Sequence, residues 1–297
     1  ATEALDRVAK FRPNTVPEAA LRAAVAFGRN DSAGIDAAIA RTKSIDSRSA
    51  LAYRLLGQQA ARGLRFADAL AFAKTGTSVD PDDPYVHFDL GMAYMRTGDE
   101  AAARVALERS WNLDKSSPFT KNVLDVLDRI DKMETVTSGN LTFKFAREQA
   151  AVLRTYAIPL AEEAMKTFSA RYGFTPPTPI LIEVFPIHDD FAVRAMGLPG
   201  LVGALGACFG QVIAMDSPTA RDPGTFSWQA TLWHELAHVY TLQLSKYRVP
   251  RWLTEGISVY EEHRRQPAWG REDALQFAAE LQRGRTFGVK NLPDAFK

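Results

Sequence analysis

Two of the chain's five histidines fall in one short run, His234-Glu235-Leu236-Ala237-His238. The run lies inside Trp228 to Leu244, a stretch without Gly or Pro that reads as continuous helix. Helix positions i and i+4 share a face one turn apart. His234 and His238 can therefore each present a ring nitrogen to a single cation, and two imidazoles at that separation suit tetrahedral zinc. Glu235, one residue on, leans toward the open side of such a site. There it can take a proton from a bound water without serving as a ligand.

A second element follows, Trp252-Leu253-Thr254-Glu255-Gly256-Ile257-Ser258-Val259-Tyr260-Glu261-Glu262. It resembles the second signature of gluzincin peptidases, a Trp-Leu-x-Glu-Gly-x-Ala element whose Glu is the third zinc ligand. Trp252, Leu253, Glu255 and Gly256 match, and Ser258 stands in place of the Ala. The resemblance is nearest to the peptidase MA-like families, in which such a domain often sits beside tetratricopeptide repeats, and it covers about 139–297. It implies a zinc peptidase acting on a peptide or protein, with one zinc ion on His234, His238 and Glu255 and with Glu235 as general base. Two imidazoles and one carboxylate leave a fourth position for water, which is the arrangement of a catalytic site. Residues 245–250 give the chain room to turn back, and Gly256 is expected to allow close helix approach beside the metal. The Gly-x-Met-Glu-Asn element of the aminopeptidase branch is absent, which argues against an exopeptidase.

Metal-bound histidines donate their other ring nitrogen to an acceptor. Glu262, two turns beyond Glu255, is the candidate; Glu261 is expected at the surface. Enzymes of this class also need a donor for the developing oxyanion. Tyr240, Tyr247, Tyr260 and His263 lie near in sequence, and none stands out. His188 and His87 read as structural or surface residues. In gluzincins an edge strand beside the zinc helix holds the substrate extended. Residues 209–215 are assigned that strand, with the Gly-rich lead 197–210 as a rim of the cleft. The chain stops at Lys297, soon after the zinc helices. A helical subdomain normally follows, so a C-terminal truncation is expected, with helix 271–284 as the start of that subdomain.

The elements that must position these residues form an α+β region, 136–297. Leu141 to Phe145 alternates and reads as a strand. A helix over 147–171 follows, with Pro159 as an expected kink. Ile180 to Phe185 is a β-branched run ending at Pro186, hence a second strand. Ala195 to Met215 has no charged residue and is long enough to span a bilayer. Pro199 and the glycines at 197, 200, 203, 206 and 210 make it instead a loop leading into a strand, so no transmembrane segment is expected.

Residues 1–135 are rich in Ala and Leu and repeat at a spacing of about 34. Asp46, Asp80 and Asp114 recur at that interval, as do Ala23, Gly57 and Gly91, then Ala26, Ala60 and Tyr94, then Ile35, Ala69 and Ala103. The pattern resembles the tetratricopeptide repeat, a helix-turn-helix unit that buries its apolar face only by stacking. Units are expected near 17–49, 50–83 and 84–117, with Gly63 and Gly98 near turns, Pro81 and Pro118 opening units, and a capping helix over 119–134. Such an array binds a partner on its concave face or simply packs on the second domain.

The expected architecture is therefore multidomain: an all-α tetratricopeptide-like solenoid, then an α+β gluzincin-like domain. Apolar residues make up 46% and charged residues 24%, the balance of a protein with a real core. The net charge of +1 gives no field favouring nucleic acid. One cysteine, Cys208, excludes an intrachain disulfide and reads as a small core residue. The chain begins at Ala1, so a removed signal peptide and a periplasmic or extracellular location are expected. The rival reading is a repeat-based binding module with a structural or inactive metal site.

Overall fold

The structure is a computed structural model that describes residues 2–269 and 271–295. Its contacts divide the chain into two compact units, Ala1–Asp128 and Arg129–Lys297.

The first unit is a helical array: α1 (Thr2–Phe11), α2 (Val16–Gly28), α3 (Ser32–Ile45), α4 (Leu51–Arg62), α5 (Phe66–Val79), α6 (Pro84–Thr97), α7 (Glu100–Leu113) and the start of α8 (Pro118–Ile130). Helices pack as pairs, α2 with α3, α4 with α5 and α6 with α7. The aspartates at the repeat interval occupy one structural place. Asp46, Asp80 and Asp114 each close the second helix of a pair. Each then accepts a hydrogen bond from the backbone N–H two residues on, at Arg48, Asp82 and Ser116, an Asx turn that redirects the chain. The small residues sit where helices cross. A side chain at Gly91 would begin 2.5 Å from Leu107 Cγ, so α6 and α7 approach there more closely than any other residue type permits. Gly98, at φ +83°, ends α6 in the left-handed conformation. Pro84 rather than Pro81 is the first residue of α6, where a missing N–H costs nothing. The terminal helix stops at Ile130; residues 131–133 turn the chain, and Glu134 begins a strand instead.

The second unit is α+β, with a five-stranded mixed sheet. The strands are β1 (Glu134–Ser138), β2 (Leu141–Phe145), β3 (Ile180–Phe185), β4 (Gly206–Cys208) and β5 (Val212–Asp216), in the order β1-β2-β3-β5-β4. The outer pairs are antiparallel and the inner ones parallel, with Phe143, Ile182 and Ile213 in one row. One face carries Leu141, Phe143, Phe145, Ile180, Ile182 and Met215 into a core shared with α9 (Arg147–Tyr172) and α11 (Trp228–Leu244). α9 runs on through Pro159. Near the sheet's other face lies α10 (His188–Met196), a helix hidden in sequence by the apolar, Gly-rich run that follows it. Its Arg194 makes a fully buried ion pair with Glu183 of β3, at 2.7 Å. Residues 209–215 are not one strand: Phe209 to Gln211 form the turn between β4 and β5. Edge position belongs to β4, within the Gly-rich stretch, while β5 is interior.

After α11 come α12 (Arg251–Arg265), α13 (Arg271–Gln282), a short 3-10 turn (Val289–Asn291) and α14 (Leu292–Ala295). Among the described residues no helix is long and apolar enough to cross a membrane.

Candidate metal centre

Helix α11 is the element on which the site depends. Ser227 caps it by accepting from the Ala230 N–H, at 3.2 Å, and no helix breaker interrupts it. Its Trp233, Leu236 and Tyr240 side is buried in the core against Phe168 of α9. The opposite side presents His234, His238 and Thr241 to α12. Between the helices, Lys246 and Tyr247 both adopt positive φ, 53° and 59°, and turn the chain back sharply. That reversal brings Glu255, in the second turn of α12, opposite the two imidazoles.

The three side chains converge. His234 Nε2 and His238 Nε2 lie 3.0 Å apart, and Glu255 Oε2 lies 3.4 Å from each. Ligand bonds of about 2.0–2.1 Å at tetrahedral angles put donor atoms about 3.3 Å from one another. The observed edges of 3.0, 3.4 and 3.4 Å come close to this, so the three residues can hold one metal ion. The other carboxylate oxygen of Glu255 faces Arg251 Nε at 3.5 Å, which turns Oε2 toward the histidines.

Electrostatics follow from this crowding. Burial opposes a charge on His234, but hydrogen bonds to Glu255 and Glu262 outweigh it and raise its pKa from 6.5 to about 10. Burial would raise Glu255, yet hydrogen bonds from both histidines hold its carboxyl well below the usual range. Glu235 moves the other way: burial, only partly offset by His238 and His234, pushes its carboxyl up.

Glu262 Oε1 sits 2.5 Å from His234 Nδ1 and orients that ring. Glu261, expected at the surface, is buried: it accepts from the Tyr172 hydroxyl at 2.6 Å and pairs with Arg171, locking α12 to the end of α9. Gly256 does not mark a close approach, since nothing lies within 4 Å of where its Cβ would be. The close approach is at Gly206 of β4, where a Cβ would lie 2.6 Å from Glu235 Oε1.

The oxyanion candidates scatter. Tyr240, two residues past His238 and so on the far side of the helix, is buried, with its hydroxyl on Met165 O and Ser169 Oγ at 2.8 Å each. Tyr260 is exposed under the Arg264 guanidinium, and His263 is exposed. Tyr247 lies against Gly210 in the β4–β5 turn, and burial pushes its hydroxyl pKa up. His188 bonds Asp216 and the Leu201 carbonyl, and Asp216 also holds Arg221, which ties down the loop before β4. His87 lies 2.8 Å from the Pro81 carbonyl. Cys208 packs against the core, and burial with the nearby Glu235 pushes its thiol up, contrary to what a nucleophile needs.

Thr254 escaped the sequence reading although it immediately precedes Glu255. It is fully buried and bonds His238 Nδ1 at 2.7 Å.

No family model matches the chain, and no curated protein matches it either. The chemistry therefore rests on the side chains themselves.

Proposed function

We propose that the chain is a zinc-dependent peptidase of the gluzincin type, with His234, His238 and Glu255 as ligands and Glu235 as general base. The observation that carries this reading is the place of Glu255 Oε2, 3.4 Å from both imidazole Nε2 atoms and brought there by a second helix. Zinc held there supplies Lewis acidity, lowering the pKa of a water to about 7 and polarising a carbonyl.

The chain's own groups do the rest. Glu235 takes the proton of the attacking water and returns it to the leaving amine. Its raised pKa supports that double duty, because a group that both accepts and donates in one cycle works best near the operating pH. Glu262 holds the His234 ring in place. The edge strand β4 passes beside Glu235, and by analogy with gluzincins it is the strand along which an extended peptide would pair. We assign to the helical array the binding of a partner protein or of the substrate itself.

The test is metal analysis of the purified protein beside His234→Ala, with turnover of mixed peptides measured with and without chelator. Zinc at one per chain, lost in His234→Ala, and turnover abolished by chelator and by Glu235→Gln are the expected results. Turnover untouched by chelation removes zinc from the reaction. Bound zinc without any turnover favours the rival reading, a repeat-based binding module with a structural or inactive metal site.

A further inference from the structure

The two histidines are oriented by different chemistry. His234 Nδ1 faces a carboxylate, Glu262, which can only accept. His238 Nδ1 faces a hydroxyl, Thr254 Oγ1, which can accept or donate, so this contact alone does not say which ring nitrogen carries the proton. The next two bonds decide it. Thr254 Oγ1 lies 2.6 Å from Thr241 Oγ1, and Thr241 Oγ1 lies 3.2 Å from the backbone carbonyl of His238. All three residues are buried.

Each hydroxyl has one proton, and a carbonyl has none to give. The Thr241 proton goes to the His238 carbonyl, so Thr241 Oγ1 accepts from Thr254. Thr254 has then spent its proton and accepts from His238 Nδ1–H. The reverse order would set the lone pairs of Thr241 and of the carbonyl against each other at 3.2 Å with no hydrogen between them, among buried residues. The ring is thus left with its proton on Nδ1 and its lone pair on Nε2, the atom that faces His234 Nε2 and Glu255 Oε2.

We propose that Thr254 and Thr241 form a one-way hydroxyl relay, closed on the carbonyl of His238 itself, that fixes the Nδ1–H tautomer of that ring and aims Nε2 at the metal. Both threonines are positioning residues, and the proposal rests on the metal-centre reading above. The relay does for His238 what a carboxylate does for His234 without adding a further negative charge to a site that already holds Glu235, Glu255 and Glu262.

The test reads the ring directly. Nitrogen-15 NMR of the metal-free, full-length protein, at a pH where the His238 ring is neutral, distinguishes the tautomers by shift and coupling. Wild type is expected to show Nδ1–H alone. Thr254→Val removes the acceptor. Thr241→Val leaves the Thr254 contact but frees its proton to turn toward the ring. Both are expected to populate the Nε2–H form and to weaken zinc binding about 10- to 100-fold, while Thr254→Ser restores both readouts. A packing role for Thr254 would leave the tautomer unmoved in Thr241→Val. A wild-type ring carrying its proton on Nε2, or a pure Nδ1–H ring in both valine variants, overturns the proposal. The wild-type spectrum needs no variant to fold. Failure of wild type to bind zinc would count against the metal-centre reading, and the spectra would still judge the relay.

Discussion

Glu235 Oε1 fills the space that a side chain on Gly206 would need: a Cβ built there falls 2.6 Å from it. The carboxylate read from sequence as the base is thus confined between α11 and the edge strand β4. Gly206→Ala is expected to push the carboxylate aside and lower kcat about 100-fold, the usual cost of a displacement near 1 Å. Metal content should not change. Unaltered turnover in a variant that folds and binds metal would falsify the confinement of Glu235.

Glu262→Gln keeps the shape of the partner of His234 but replaces its acceptor-only carboxylate. Zinc affinity, read by competition with a chromophoric chelator, is expected to drop about 10- to 100-fold. An affinity equal to wild type would mean that His234 needs no orienting charge.

The raised pKa of His234 makes metal uptake a proton exchange. In the metal-free protein the ring keeps its proton up to about pH 10, against 6.5 ordinarily. A ligand must be neutral, so zinc loading at pH 7 should release about one proton. Calorimetry in buffers of differing ionisation enthalpy measures it. Affinity should weaken about tenfold for each unit of pH lowered through this window. Stability of the metal-free form follows the opposite course. The proton is bound more tightly in the folded state, so the contribution is complete below pH 6.5 and disappears as pH rises through about 10. A melting temperature of the metal-free protein that climbs between those limits would contradict the assignment.

In the array, Gly91→Ala places a methyl 2.5 Å from Leu107 Cγ, a side chain with no exposure. Overpacking of this kind costs about 1–3 kcal/mol. Denaturant unfolding of the full chain should show the loss, and Leu107→Ala in the same background should couple with it. Additive effects would show that α6 and α7 do not meet at this pair.

Much of this was legible before any coordinates. The HExxH helix declared itself because spacing along a helix is geometry, and Glu255 because a neighbouring element repeats a known pattern. The aspartate series pointed to a repeat because it recurs at one interval; that each member closes a helix with an Asx turn came from the structure. What stayed hidden depends on the third dimension. Glu134 to Ser138 carries a short signal, β-branched Thr135-Val136-Thr137 before the Gly139-Asn140 link, which the preceding apolar helix masked; alternate residues are only half-buried, and it becomes β1 by pairing with β2. The edge strand is three residues long inside a Gly-rich run, and only pairing with β5 reveals it. Glu261 looks like any charged residue near a helix end, and its burial depends on Arg171 and Tyr172, some 90 positions earlier. Tyr240 was near the histidines in sequence but opposite them on the helix.

The anchoring of Glu261 by Arg171 and Tyr172 reaches beyond one side chain. It fastens the helix that carries Glu255 to the end of α9, away from the His234, His238 and Glu255 group. The convergence of His234, His238 and Glu255 is therefore built into the fold itself. On the zinc-peptidase reading proposed above, removing the metal should stop turnover without melting the protein, and returning it should restore turnover with no refolding step.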